Sequence, residues 1–592
     1  MTYHRSVLSV LFTLLLAACA APQQPDTAAR QSVAPATTAA ATAAAAAYDA
    51  GLDIFHPIEL RRGMVVSEQA LASQAGLAML KAGGNAVDAA VAVGFTLAVA
   101  LPNAGNLGGG GFMMVHTADG RDIALDFREM APSGASRDMY LDAQGKVVNG
   151  RSLFTHLAVG VPGSVAGLTH AQQKWGKLSL AQVMAPAIRL AEHGYPVSLT
   201  LAETLAKTAK TMGQWPATRA IFWRNGKPLQ AGDLLVQKDL AHSLRLIARQ
   251  GADAFYRGPI GQKIAADMAR HGGLMSAQDL AQYRVVERAP IVGDYRGYRV
   301  VTMPPPSSGG IHLVQILNMM EGWPIGDWGA GSAQTIQHMA EAMKLAYADR
   351  SEYLGDTDFV TVPVAGLISK AYARQLAATV DATRARPSNE IRPGKPQPYE
   401  SDQTTHFSTV DADGNAVAVT YTLNTNFGSG IVAAGTGILL NNEMDDFSAK
   451  PGVANVYGLI GGEANAVQAG KRPLSSMTPT LVMKDGRPWL VTGSPGGSRI
   501  ITTVLETVVD TIDFQMNPAE AAATPRFHHQ WWPDQLRVEK GLSPDTLALL
   551  RSYGQHIAVM PTMGKTQTIQ IRDGVMYGAA DPRNPDGAAL GW

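Results

Sequence analysis

Two threonines stand where this chain could do covalent chemistry. Thr404 opens a run rich in β-branched and aromatic residues that ends at Asp411; Ala412-Asp413-Gly414 follows, and then a second such run, Asn415 to Asn424. A three-residue loop ending in Gly is a favoured hairpin connection, because Gly tolerates the left-handed conformation needed there. A hairpin closed at Asp411/Asn415 sets Thr404 across the ladder from Thr422, a pair about 5 Å apart. It leaves Asn424 on the same side as Thr422. A Thr hydroxyl is a weak nucleophile until a base removes its proton. A Thr that begins a chain carries that base itself, since an α-amine titrates near pH 7.7–8, about the working pH. Residues 384–403, polar and aperiodic, read as an exposed, cuttable connector that abuts Thr404. Thr422 could hydrogen-bond the Thr404 hydroxyl and orient it. Gly496-Gly497 could bring bare N–H groups against a developing oxyanion, where one lost donor costs about 3 kcal/mol in the barrier. Taken singly, such threonines are strand formers and such glycines a tight turn.

These groups need a large scaffold, and the composition supplies one. The chain has 592 residues, 46% of them hydrophobic, enough for several domain-sized units and a substantial core. The 49 basic and 49 acidic residues cancel, which argues against nucleic acid as a partner. One Cys excludes an intrachain disulfide and a Cys-based structural zinc site. Ser67 and Asn85 are candidate N-caps for two helices ending near Pro102, with Gly83-Gly84 as the stop between them. Asn106-Leu107-Gly108-Gly109-Gly110-Gly111 then leads into strands Phe112–His116 and Ile123–Arg128, turned at Asp119-Gly120. Those glycines do not make a phosphate loop, because no Gly-Lys-Ser/Thr follows and a strand, not a helix, comes next. Residues 165–390 alternate loops with amphipathic helices such as Ala181–His193 and Ala333–Tyr347; beyond the connector the pattern changes to strands. His528-His529 and His406 read as structural: adjacent His on a strand point to opposite faces, no third ligand is evident, and the amine already supplies a base.

Thr404-Thr405-His406, Leu439 to Ser448 (LLNNEMDDFS), Lys471 to Met477 (KRPLSSM) and Gly493 to Arg499 (GSPGGSR) stand in the order seen in γ-glutamyltranspeptidases, and Asp126-Phe127-Arg128-Glu129 is similar to that family too. The resemblance runs from about residue 55 to the C-terminus. It implies an α+β N-terminal-nucleophile hydrolase, a four-layer αββα sandwich built jointly by two subunits after the precursor cuts itself at Gln403–Thr404. The large subunit would be 49–403 and the small catalytic subunit 404–592. Thr404 would take a γ-glutamyl group from glutathione as an ester, released by water or by an amino acid or peptide amine, with no metal or organic cofactor. The glutamyl α-carboxylate and α-ammonium then need opposite partners. Arg128 offers a fork and Ser475 and Ser476 hydroxyl donors for the first; Asn424, Glu443 and Asp446 can accept from the second. The resemblance assigns the same roles, although many relatives carry Gln where Glu443 stands. Pro451 to Gly462, with Tyr457, resembles the lid loop over the glutamyl pocket.

At the amino terminus, Arg5 and the apolar run Val7 to Ala18 form a signal-peptide core, shorter than the roughly 20 residues of a membrane span. Leu16-Ala17-Ala18-Cys19 looks like a lipobox, so residues 1–18 read as signal peptide and 19–48 as an Ala/Thr/Pro-rich tether from lipidated Cys19. This places the protein in the periplasm, with Ala20 favouring the outer membrane; the alternative is simple secretion with Ala18-Cys19-Ala20 as the cleavage site. Two rival functions are a cephalosporin-type acylase on the same scaffold and an unprocessed surface binding protein.

Overall fold

The computed structural model describes residues 48–395, 405–450 and 452–592. The signal segment, Cys19, Gln403, Thr404 and Pro451 lie outside the described residues.

Alternation along the strands sets the layering. In Gly63–Ser67, Met64 and Val66 join one apolar cluster and Val65 another. Ala416–Thr422 divides in the same way, with Ala416 and Ala418 in the first cluster and Val417, Val419 and Tyr421 in the second. Strands apolar on both faces need cover on both. The first sheet runs, edge to edge, Ala588–Gly591, Gly63–Ser67, Thr405–Asp411, Ala416–Thr422, Gly110–His116, Asp122–Phe127 and Val286–Arg288. The second runs Ile58–Leu60, Val575–Ala580, Gln567–Arg572, Arg487–Thr492, Thr480–Lys484, Tyr298–Thr302 and Ile291–Tyr295. Their inner faces meet through Met64, Met114, Met477, Leu481, Val491 and Ile569. Helices including Ala86–Ala100 and Leu180–His193 cover the outside of the first sheet; Gly309–Met320, Ala333–Tyr353 and Arg499–Ile512 cover the second. The order of layers is α, β, β, α. Strands from both sides of residue 404 contribute to each sheet.

Several local expectations can now be placed. Asn85 caps Ala86–Ala100 in a reciprocal capping box with Asp88, and every residue of that helix is buried. The hairpin closes at Asp411/Asn415 with Gly414 at φ +92, and its ladder runs from Val410↔Ala416 to Thr405↔Tyr421. Gly109 is required by close approach, since a Cβ there would lie 1.8 Å from the Thr422 carbonyl oxygen. Ser67 is not a cap: it ends the strand Gly63–Ser67, paired with Phe407 and Ala588, and the side chain of Gln69 accepts from the Leu71 N–H instead. The described part of the connector is not simply exposed. Ala385, Ser388 and Ile391 are buried, Ser388 hydrogen-bonds Asp534 and the Ala385 N–H donates to the Tyr553 carbonyl. The helix from Ala333 continues past Tyr347 to Tyr353, which carries Arg350 onto it.

One buried carboxylate ties the first sheet to the loop that reaches the second. Asp126, at 0% exposure, accepts from Arg472 Nη1 at 2.7 Å, Arg288 Nε at 2.8 Å and the Arg128 N–H at 2.9 Å. Arg472 also donates to the Arg284 carbonyl at 2.6 Å, and its own N–H is held by Asp356 at 2.8 Å. Removing one partner of a buried pair strands the other charge. Asp126→Ala is therefore expected to lower unfolding stability by about 3–5 kcal/mol, read as a lower denaturant midpoint; an unchanged midpoint would contradict this role.

Candidate active site

Arg128 directly follows the strand Asp122–Phe127 and is fully buried. Its Nη1 donates to Glu443 Oε1 at 2.5 Å, Nη2 to Asp446 Oδ2 at 2.6 Å and the Leu474 carbonyl at 3.2 Å, and Nε to the Pro473 carbonyl at 3.0 Å. Glu129 lies 3.6 Å from Nη1. Three carboxylates thus face one fully buried guanidinium. Burial pushes the Glu129 carboxyl up to about 7 against the pull of Arg128. Burial likewise lifts Glu443 well above the usual range, opposed by Arg128 and reinforced by Glu129 and Asp446. Burial works against the charge of Arg128 too, but the three carboxylates outweigh it and raise its pKa. Among the described residues, both oxygens of Glu129, Glu443 Oε2 and Asn424 Oδ1 are buried acceptors with no donor. Such a surplus suits an ammonium group.

Backbone geometry brings these acceptors together. Glu443–Asp446 is a single 3-10 turn, anchored by Asn441, whose side chain accepts from the Glu443 and Gly160 N–H groups and donates to the Gly108 carbonyl. Asn424 sits at φ +76, a conformation Asn tolerates better than most residues. Its Nδ2 donates to the Asn442 carbonyl at 2.9 Å.

Ser475 and Ser476 lie on the same loop as Pro473 and Leu474. Each is buried and has one oxygen lone pair already taken: Ser475 Oγ accepts from the Met477 N–H at 3.1 Å, and Ser476 Oγ from Arg350 Nη2 at 3.0 Å. Among the described residues the Ser475 hydroxyl proton has no acceptor, while Ser476 Oγ also meets Ser308 Oγ at 3.5 Å.

Thr422 is the next residue beyond the last described pair of the hairpin ladder. Its Oγ1 accepts from the Asn424 N–H at 2.8 Å, and its carbonyl accepts from Asn106 Nδ2 at 2.8 Å. Among the described residues its hydroxyl proton has no acceptor. Gly496 and Gly497 adopt φ +143 and +68 at the foot of the helix Arg499–Ile512, the region that favours glycine. Among the described residues neither glycine's N–H meets an acceptor. His406 is held by Thr420 and Ser408 at 2.8 and 3.0 Å, and burial lowers its pKa to about 3. His528 and His529 are buried and held by Thr502, Gln530 and Asp534.

Tyr457 reaches the site through its hydroxyl, which donates to the Asn424 carbonyl at 3.4 Å. Asp445, which the sequence reading passed over for its neighbour Asp446, fastens this loop: it accepts from Ser152 Oγ at 2.5 Å and from the Val456 N–H at 3.3 Å. Arg350 was missed as well. It is far from the recognisable motifs, and the only sign of it in the sequence is a basic residue in the extension of an amphipathic helix.

The arrangement can be compared with known proteins. The family model described as Gamma-glutamyltranspeptidase matches residues 72–591. The chain is 59% identical over 549 residues to the "Glutathione hydrolase proenzyme" of Escherichia coli (strain K12), covering 92% of this chain and 94% of that one. Among solved structures, the cephalosporin acylase from Bacillus halodurans superposes with a TM-score of 0.81 at 32% identity, covering 91% of this chain and 97% of that one. The gamma-glutamyltranspeptidase of Helicobacter pylori superposes with a TM-score of 0.57 at 48% identity over 58% of this chain and 99% of that one.

The carboxylate cluster makes a prediction of its own. Glu129 titrates near 4.5 when unfolded and at about 7 when folded, so between these values the folded state holds the extra proton. Its stability contribution is present at low pH and is lost as pH rises through that window. The melting temperature is expected to fall from pH 4.5 to 7, and Glu129→Gln to lessen the fall. An identical pH profile for the variant would contradict the assignment.

Proposed function

Because the chain belongs to the γ-glutamyltranspeptidase family, we propose that it is a γ-glutamyltransferase and glutathione hydrolase, made as one precursor that cleaves itself at Gln403–Thr404. The Thr404 hydroxyl attacks the Gln403 carbonyl, the acyl group shifts from nitrogen to oxygen, and water hydrolyses the ester. This separates a large subunit, 49–403, from a small one, 404–592, and frees the α-amine of Thr404. The amine then deprotonates the adjacent hydroxyl for attack on the γ-carbonyl of glutathione. The ladder described as far as Thr405↔Tyr421 supports Thr422 as the partner of Thr404, with Thr422 Oγ1 to hold the nucleophile's oxygen. The N–H groups of Gly496 and Gly497 receive the oxyanion. Cysteinylglycine leaves as the amine returns the proton. Water or an acceptor amine then resolves the γ-glutamyl ester.

The observation that carries this reading is the surplus of unpartnered buried acceptors on Glu129, Glu443 and Asn424. It also bears on the acylase alternative, which the Bacillus halodurans neighbour keeps in view. Asp446 does not by itself exclude an acyl chain lacking an amine, because Arg128 already pairs with it. The surplus acceptors argue against it: an apolar acyl group would leave Asn424 Oδ1 and the Glu129 and Glu443 carboxyls without a donor from the substrate, whereas a glutamyl ammonium supplies one.

Cys19 is proposed as the site of lipidation, holding the enzyme in the periplasm at the outer membrane through residues 20–48. Cys19→Ala should move activity from the membrane pellet to the soluble periplasmic fraction; activity soluble already in the wild type would contradict the anchor.

The processing step has its own test. On a denaturing gel the wild type should run as two fragments, and the smaller should sequence from Thr404. Thr404→Ala should remain a single chain without turnover of glutathione. A persistent single band without turnover in the wild type would favour the binding-protein reading; an active wild type that stays uncut, or turnover by Thr404→Ala, would exclude the mechanism.

A further inference from the structure

Apart from the reacting groups, His156, Asp267 and His271 meet where the helix Pro259–Arg270 ends beside the turn His156–Ala158. Asp267 and His271 are four residues apart, the spacing that sets side chains on one face of a helix, and His271 is the residue that ends this one. Gly273 lets the chain pass close to the turn, since a Cβ there would lie 3.0 Å from His156 Cβ. The His156 and His271 rings stack with centroids 4.6 Å apart, and Trp215 meets the His156 ring edge-on at 5.1 Å. One candidate ligand atom from each of the three residues lies within 4.8 Å of the other two.

The distances within this group are not those of hydrogen bonds. Asp267 is 4% exposed, yet among the described residues its carboxylate meets no donor closer than 3.4 Å. His156 Nε2 stands 3.4 Å from Oδ2, and His271 Nδ1 and Arg270 Nη1 each stand 3.7 Å from Oδ1. Charge-assisted pairs normally close to about 2.7–2.9 Å. Ligands that share a zinc ion, each about 2.0–2.1 Å from it, stand about 3.3–3.5 Å apart. The His156–Asp267 edge has that length. The Asp267 carbonyl, 2.9 Å from His271 Nδ1, holds the second ring beside the carboxylate, and the exposed His271 side chain can turn the rest of the way. Arg270, the competing cation, is exposed and can move into water. A cation here also meets the negative end of the helix dipole. Two imidazoles and a carboxylate suit zinc and its first-row neighbours, whereas calcium and magnesium take oxygen ligands. We propose that His156, Asp267 and His271 bind a divalent cation of the zinc class, with water at its open position. The ion clamps the helix end to the turn. Leu157, next to His156, packs with Met444 and Phe447, which flank Asp445 and Asp446, so the clamp stiffens the turn that carries them. No step of the γ-glutamyl chemistry depends on it.

The test is a calorimetric titration of the untagged, full-length enzyme with zinc chloride, after stripping with a chelator and dialysis. The wild type should bind a single equivalent, and His271→Gln should weaken that binding by at least about 10-fold. Because the His271 side chain is exposed, the variant should melt where the metal-free wild type does. Zinc should then raise the melting temperature of the wild type and leave that of the variant unchanged. Should His271→Gln melt lower without metal, Asp267→Asn, which keeps the shape and removes the charge, carries the same comparison. Arg270→Ala removes the competing guanidinium and should bind zinc at least as tightly as the wild type. Calcium chloride should give no saturable heat. No saturable zinc binding by the wild type, or equal affinity in the wild type and His271→Gln, overturns the proposal. So does a loss in Arg270→Ala as large as that in His271→Gln.

Discussion

The strands Thr405–Asp411 and Ala416–Thr422 pair in a single register, and the site depends on it. Side chains alternate across a strand, so a slip of one residue would carry Thr422 from the inter-sheet face to the helix-covered face. The register is pinned at its turn. Asp411 accepts from the N–H groups of Asp413 and Asn415 and from the Asn415 amide, and reaches across to the Ala86 N–H at the start of the buried helix. It is pinned at its other end by Asn106, which holds the Thr422 carbonyl, and by glycines that let the neighbouring strand approach. The hairpin is thus fixed against the first sheet and its helices before any substrate group is considered.

Against that fixed frame the pocket is an arrangement of charges in a buried interior. Burial makes like charges expensive and opposite charges strong, so the cluster around Arg128 is tense as it stands: three carboxylates, one guanidinium, several oxygens without donors. At the other side, serine hydroxyls are primed by donors to give their protons away. A γ-glutamyl donor, carrying both an ammonium and a carboxylate on one carbon, relieves both at once. Binding of this kind is selective because a substrate missing either group leaves buried polar atoms unpaired.

Much of this was legible in the sequence, for physical reasons that differ by element. The hairpin could be placed to the residue because its loop, Ala412-Asp413-Gly414, admits few geometries. The buried helix Ala86–Ala100 announced itself by composition and by the Asn85 cap. The strand–helix turn at Gly496-Gly497 was visible because positive φ there demands glycine. What stayed hidden depends on tertiary approach. Ser67 looked like a cap because nothing local shows that Phe407 and Ala588 would draw it into a sheet. The connector's polarity hid the docking of Ile391 and Ser388. Arg350 and Asp445 are assigned by neighbours more than 100 residues or a loop closure away, and no spacing in the sequence reports them.

The account turns on a backbone break that creates the base for its own nucleophile. The most direct measurement is peptide mapping by mass spectrometry of enzyme quenched in acid during turnover of a γ-glutamyl donor. The account predicts a γ-glutamyl adduct on the peptide whose amino terminus is Thr404. An adduct carried by an uninterrupted chain, or by any other residue, would contradict it.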